Sequence, residues 1–225
     1  MALNGKKVIA LIPLRGGSKR IPRKNIKMFS GKPLAYWVAA EAAQSKYIDA
    51  IHVSTEDAEI KDVVENMGID ISVTTRPHEL AQDMTSEEHV HLHFMEQVPF
   101  DILVVLHATN PLTTTKDIDN ALELLEKHQH DALLTGTRHK RFYWTPEGKP
   151  LNYNPLKRPR TQDFEGTITE NGAFYITRNT TLEKYKNFLG GTIGIYEMSP
   201  EQAIDIDHQS DWDEAERIFK KKKGV

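Results

Sequence analysis

The sequence contains no cysteine. That absence removes disulfide scaffolds, thiolate zinc sites, iron–sulfur clusters and cysteine nucleophiles together. Long apolar runs are also missing. The longest early one, Val8 to Leu14, falls well short of the roughly 20 residues that a membrane span needs. No small-residue cleavage site follows it, so it does not read as a signal peptide. Nor does one sign of charge dominate. Lys plus Arg is 29 and Asp plus Glu is 32 in 225 residues, a formal net charge of −3. The basic excess usual in nucleic-acid binders is absent. With 39% hydrophobic and 27% charged residues, the chain reads as a cytosolic globular protein, long enough for one domain with a full core.

What is present alternates. Val8 to Ile12 is a continuous apolar run ended by Pro13, the kind of segment buried on both faces of a parallel sheet. Similar runs return at Ile48 to Val53 and Ile102 to Leu106. Between them lie helical patterns: Leu34 to Ser45 behind Pro33, Ala58 to Met67 stopped by Gly68, and Thr115 to His128 with Ile118, Ala121, Leu122 and Leu125 on one face. This spacing predicts an α/β fold of three layers (α/β/α, Rossmann-like) around a mostly parallel central sheet. The alternation breaks near Thr137. Arg138 to Glu165 is rich in Pro, Arg, Lys and aromatics, and reads as a functional loop or an extension onto a partner. Beyond it, Ala173 to Thr177 and Ile193 to Met198 read as strands, Trp212 to Phe219 as a closing helix and Lys220 to Lys223 as a solvated end.

Four segments carry candidate chemistry. The loop from Pro13 to Asn25 holds Gly16, Gly17, Ser18 and five cations, Arg15, Lys19, Arg20, Arg23 and Lys24. It follows a strand, where open α/β sheets bind ligands. Glycines let backbone N–H groups approach an anion while cations neutralise it, so a polyphosphate suits this loop. It matches neither G-x-x-x-x-G-K-[ST] nor G-x-G-x-x-G, which argues against P-loop NTPases and Rossmann dehydrogenases. In Ile204-Asp205-Ile206-Asp207, an extended backbone puts both carboxylates on one face and the isoleucines on the other. Such a pair is either a solvated acidic end or a Mg²⁺ site completed by substrate phosphates. His107-Ala108-Thr109-Asn110 ends another strand, and Glu170-Asn171-Gly172 precedes Tyr175 in what reads as a pocket wall or a hairpin turn. His89, His91 and His93 lack a third ligand in register if Val90, Phe94 and Val98 define a helix, and are expected at the surface.

Taken together, Arg15-Gly16-Gly17-Ser18-Lys19, Ile21-Pro22 and Lys24-Asn25 closely resemble the nucleotide-binding signature of N-acylneuraminate cytidylyltransferases. The resemblance continues through Val53-Ser54-Thr55, Leu106 to Leu112, Lys157-Arg158-Pro159-Arg160, Gln162-Asp163, Glu170-Asn171-Gly172 and Ile204 to Asp207. It spans almost the whole chain in order, and the stretch from Asn152 to Tyr175 looks especially like the animal members.

The resemblance implies one cytidylyltransferase domain over 1–225 that joins CTP to a nine-carbon 2-keto sugar acid, giving a CMP-sugar and pyrophosphate. The anomeric hydroxyl attacks the α-phosphate, with Mg²⁺ offsetting charge. By resemblance, Arg15, Lys19 and Lys24 bind the triphosphate, the Gly16-Gly17-Ser18 backbone cradles it, and Lys24 and Asn25 lie near the reacting phosphate. Ser86, Thr109 and Asn110 match positions near ribose and cytosine, and Asp205 and Asp207 the metal pair. Gln162, Asn171 and Tyr175 fall where the family binds the sugar, with Arg160 in reach of its carboxylate. The family also implies a homodimer, or a dimer of dimers, with 138–189 as an arm that crosses to the partner and neither nucleic acid nor membrane as a partner. Phe142, Tyr143, Trp144 and Tyr153 suit such an interface. Three positions depart from the pattern: His107 stands for a common Gln that contacts the sugar, Ala108 for Pro and Arg20 for Gly. They leave open which nonulosonate is used. Contrasting readings are a catalytically silent sugar-nucleotide binder and a nucleic-acid module built on Arg138 to Arg141 and Lys157 to Arg160.

Overall fold

A computed structural model describes residues 3–224. Its elements run β1 (Val8–Pro13), β2 (Met28–Phe29), β3 (Lys32–Pro33), α1 (Leu34–Ala43), β4 (Ala50–Thr55), α2 (Ala58–Glu65), β5 (Ser72–Thr75), α3 (Glu87–Gln97), β6 (Ile102–Leu106), α4 (Thr115–Lys127), β7 (Ala132–His139), β8 (Thr167–Arg178), α5 (Asn179–Tyr185), β9 (Ile193–Glu197) and α6 (Gln209–Lys223). Seven strands form the central sheet in the order β5-β4-β1-β6-β8-β7-β9, and β2 pairs with β3 apart from it. The sheet is mostly parallel. Only the pairings of β8 with β6 and with β7 are antiparallel.

The apolar run of β1 has a direct structural cause. Alternate side chains point to opposite faces of a strand. Ala10 and Ile12 join the core beneath α1, α2 and α4, while Ile9 and Leu11 join the one beneath α3 and α5. Both faces are covered, which gives the three layers. Helix α4 starts at a capping box in which Thr114 and Asp117 satisfy each other's backbone N–H groups. A third apolar cluster packs α6 against the β2–β3 hairpin, with the Phe29 ring edge-on to Trp212 and Phe219 at 5.4 Å each.

Several boundaries differ from the sequence reading. Strand β4 begins two residues after Ile48. Helix α6 extends at both ends and takes in Lys220 to Lys223, because His208 and Asp211 cap it early and Lys223 reaches Glu41 at 3.2 Å. Within 138–189, residues 167–178 form β8 and 179–185 form α5. The irregular stretch is therefore 140–166. There Phe142 stacks on Tyr153 at 4.4 Å and Phe164 at 5.0 Å, with the Arg158 guanidinium 4.5 Å above its ring.

Candidate active site

Because β1, β4, β5 and β6 are parallel, the loops after them gather at one edge of the sheet. Strand β8 runs the other way, so residues 170–174 return to that edge. The segment 204–207 is tied there by the Ile206 N–H, which donates to the Thr109 carbonyl at 2.9 Å. These pieces enclose a cavity of about 500 Å³ lined by Arg15, Ser18, Lys19, Lys24, Asn25 and Asp207, among others.

Two ion pairs shape the glycine loop. Arg23 pairs with Asp57 through bonds of 2.6 and 2.7 Å. Asp57 also accepts from the Ile60 N–H at the start of α2, at 3.0 Å. The Arg23 hydrogen bond holds the Asp57 carboxyl at about 2, against the effect of burial. Gly16 lies against this pair so closely that a Cβ would sit 2.2 Å from Asp57 Oδ2. The second pair is buried: Arg76 reaches Glu56 Oε2 at 2.9 Å and the Leu14 carbonyl at 3.1 Å. Glu56 Oε1 accepts the Gly16 N–H at 2.8 Å, and the Ser18 N–H donates to the Gly16 carbonyl at 3.0 Å. The backbone N–H groups of Gly16 and Ser18, expected to cradle phosphate, are thus used inside the protein. Gly17 borders a neighbouring depression instead. What the loop presents to the cavity is its side chains.

Those cations face carboxylates. Lys24, 13% exposed, donates to the Ile206 carbonyl at 2.5 Å and lies 3.4 Å from Asp207 Oδ1. Arg20 meets Asp207 Oδ2 at 2.8 Å. Arg15 pairs with Asp83 at 3.1 Å, and Lys19 pairs with the same carboxylate. Asn25, buried, donates to the Arg15 carbonyl at 3.0 Å. The aspartates at 205 and 207 open onto adjoining cavities rather than one. Asp207 lines the first, and Asp205 lines a second of about 380 Å³ with Glu170, Asn171, Gly172 and Tyr175. Ile206 between them is fully buried. Asp205 is exposed to solvent, yet the walls of the second cavity stand around it. That burial, aided by the charge of Asp207, raises its carboxyl above the ordinary value.

The wall shared by the cavities carries His107. Its Nδ1 is 2.7 Å from the Gly172 carbonyl and its Nε2 2.7 Å from Glu87 Oε1. Burial acts to lower the imidazole and to raise the carboxyl. Their mutual hydrogen bond and attraction outweigh it, leaving His107 above and Glu87 below the usual value. A bulge in the β7–β8 ladder, with Gly172 at φ 65°, aims Asn171 and Gly172 toward this wall. Asn171 Oδ1 accepts from the Thr135 hydroxyl at 2.7 Å. The Tyr175 hydroxyl donates to Glu170, and burial, with that bond to a carboxylate, pushes the phenol above its ordinary value.

Of the remaining expected residues one lines a cavity and the others stand elsewhere. Thr109 lines the first cavity, but Asn110 is fully buried and its amide braces the Asn171 and Ile204 carbonyls, both at 3.3 Å. Ser86 is exposed just before α3, with its hydroxyl 3.0 Å from His89 Nδ1. Arg160 pairs with Asp163 at 2.6 Å, and the Gln162 carbonyl accepts from Lys140 at 3.1 Å. Neither Arg160 nor Gln162 lines either cavity. His91, expected at the surface, is fully buried beside Phe188, because α3 has one face on the sheet and the other against α5. Glu56, Arg76, Asp83 and Glu87 were not legible as site residues. The one available signal was the acidic pair Glu87-Glu88 before Val90 and Phe94, the composition of a helix N-terminus.

This geometry, a cationic loop and an aspartate pair at the carboxyl edge of a mostly parallel sheet, is that of a nucleotidyltransferase-type α/β fold. The chain belongs to the cytidylyltransferase family, whose sequence model it matches over residues 9–224. It is similar to N-acylneuraminate cytidylyltransferase of Oncorhynchus mykiss, 37% identical over 93% of this chain and 50% of that protein. The enzyme of the same name from Streptococcus agalactiae is 28% identical over 92% of this chain and 52% of its own length. The chain thus spans about half the length of the curated relatives it matches. Among solved structures, CMP:2-keto-3-deoxy-manno-octonic acid synthetase complexed with CTP superposes with a TM-score of 0.73 at 18% identity, covering 96% of this chain and 99% of that one. The 4-diphosphocytidyl-2C-methyl-D-erythritol synthase of Anaerococcus prevotii gives 0.69 at 14%, covering 97% and 98%. These two likenesses establish the fold.

Proposed function

We propose that the chain transfers the CMP unit of CTP to a nine-carbon 2-keto sugar acid of the nonulosonate class, releasing pyrophosphate. The observation that carries this reading is Lys24, a loop cation that crosses the first cavity to Ile206 and Asp207. It joins the anion-binding loop to the acidic segment in one cleft. Arg15, Lys19 and Lys24 neutralise the triphosphate, which displaces them from Asp83 and Asp207. Asn25 holds the loop backbone at Arg15. The sugar acid occupies the second cavity beside Asn171 and Tyr175, so its anomeric hydroxyl approaches the α-phosphate from the His107 side. Such a transfer rests on positioning and charge stabilisation rather than on a protein nucleophile.

Mg²⁺ suits the donors present. Among the described residues no group of three or more His, Cys, Asp or Glu side chains is placed to hold a metal alone. Two carboxylates with phosphate oxygens are, however, a usual Mg²⁺ set, and the raised Asp205 carboxyl marks a place where added positive charge is favourable. Asp205 and Asp207 would hold the ion, which when bound offsets charge on the phosphates. The lobe 140–166 serves as a contact between two copies: Trp144, Leu151 and Leu156 on it are 47%, 64% and 94% exposed, an apolar surface that a partner would cover.

The test is pyrophosphate release with CTP, UTP and ATP against several sugar acids. Release with CTP and a nonulosonic acid is expected. Binding of the nucleotide without release under every pairing would favour a silent binder.

A further inference from the structure

His107 stands between the two cavities. It lines the first and touches Gly172 and Tyr175, which line the second. Each ring nitrogen faces an oxygen, the Gly172 carbonyl on one side and Glu87 Oε1 on the other, both at 2.7 Å; the carbonyl only accepts, and so does the Glu87 carboxyl in its ionised form, which its surroundings favour. A ring nitrogen so placed carries hydrogen. A ring with hydrogen on both nitrogens satisfies both contacts and carries a positive charge, and both N–H groups are then engaged within the protein. What it turns to the cavities is a charged C–H edge with no free donor and no acceptor. The neighbouring groups agree with this state. Glu87 belongs to the first turn of α3, and buried His91 lies 3.8 Å from the same carboxylate oxygen. From the sheet, the Tyr175 ring packs against it at 5.7 Å while the Tyr175 hydroxyl is turned to Glu170. From the acidic segment, Asp205 adds negative charge.

We infer that His107, locked as an imidazolium by Glu87, sets sugar selectivity in this chain: it favours electron-rich ligand groups and rejects a ligand O–H or N–H aimed at it. Glu87 is the positioning residue, acting through the ring. The inference rests on the transfer reaction proposed above and names the feature of the sugar that this wall reads. A donor left without an acceptor in a closed site loses on the order of five- to a hundredfold in affinity. Glutamine has similar reach, no charge and an amide oxygen that accepts, so His107→Gln removes the penalty.

Two measurements test this. In long-range ¹H–¹⁵N NMR of the full chain without substrates, at about neutral pH where a free imidazole is mostly unprotonated, both His107 ring nitrogens are expected to be protonated. Glu87→Gln should return the ring to the one-proton pattern. A single protonated nitrogen in the parent overturns the lock whatever the enzyme catalyses. In the second, pyrophosphate release with CTP is followed for sugar acids and their mono-deoxy analogues. His107→Gln should shift kcat/KM toward the hydroxylated member of at least one pair by about fivefold or more, the lower end of that range, a larger change than any in KM for CTP. Constant ratios across all pairs, or an equal change in KM for CTP, overturn the selectivity role. A parent that uses no sugar acid refutes the transfer reaction and the selectivity with it, while the NMR result still decides the lock.

Discussion

Replacing Lys24 by Met separates what this side chain does for the fold from what it does for the reaction. Met keeps the apolar stem, which is largely buried, and removes only the ammonium. The structural loss is the bond to the Ile206 carbonyl at 2.5 Å, a charge-assisted contact contributing about 1.5–3 kcal/mol. The Asp207 contact at 3.4 Å adds little, because Asp207 is partly exposed and keeps Arg20 at 2.8 Å. A loss of about 2 kcal/mol lowers Tm by roughly 4–8 °C in a domain of this size, well inside a total stability of about 5–15 kcal/mol. The protein stays folded at 25 °C. Removing a positioned donor from a developing oxyanion costs on the order of 10²–10³ in kcat. Thermal melts and pyrophosphate release at saturating CTP, measured on the same preparation, give both numbers. A variant that melts lower but turns over within threefold of the parent would refute the role of Lys24 at the phosphate and leave it a strut for the acidic segment.

Gly16→Ala places a Cβ 2.2 Å from Asp57 Oδ2 and 3.0 Å from Arg23 Nη1. Those atoms are the far ends of a locked pair, so a stability loss of about 1–3 kcal/mol is expected in denaturant unfolding, and an unchanged midpoint would mean that the pair yields freely. Asp57→Asn tests the sign of the linkage. The depressed carboxyl stabilises the fold above its unfolded pKa of about 3.9, and that contribution is lost as pH falls through about 2. Urea melts should show a gap between parent and variant that is constant near neutrality and closes in acid; a gap independent of pH contradicts it. For the lobe 140–166, Leu156→Glu should change a dimer into a chain of 25.7 kDa in light scattering, and a parent already of that mass removes the proposed contact.

The sheet was legible because its strands are buried on both faces. Val8 to Ile12 and Ile102 to Leu106 have no polar position to confuse the period, and α4 is announced by Thr114 and a one-sided apolar stripe. Strand β5, Ser72–Thr75, escaped notice since only Thr74 of its four residues is buried. The site divided in the same way. Residues that carry their chemistry in one run, such as Arg15 to Lys24 or Asp205 and Asp207, stood out. Glu56, Arg76 and Glu87 did not, because each acts on a partner 20 or more positions away: Arg76 on Glu56, Glu56 on Gly16, Glu87 on His107. Asn110 misled for the opposite reason. Its place at a strand end suggested base reading, yet its amide closes the gap between two backbone carbonyls. The departures at His107 and Arg20 gained meaning only with their partners, Glu87 and Asp207.

Diffraction from crystals grown with CTP and Mn²⁺, using the manganese anomalous signal, addresses the shared grip on the nucleotide without intermediaries. The expected map has one metal peak bound by Asp205 or Asp207 and by a phosphate that also contacts Lys24 or Arg15. A triphosphate lodged elsewhere, or a manganese peak remote from both aspartates, would contradict the account.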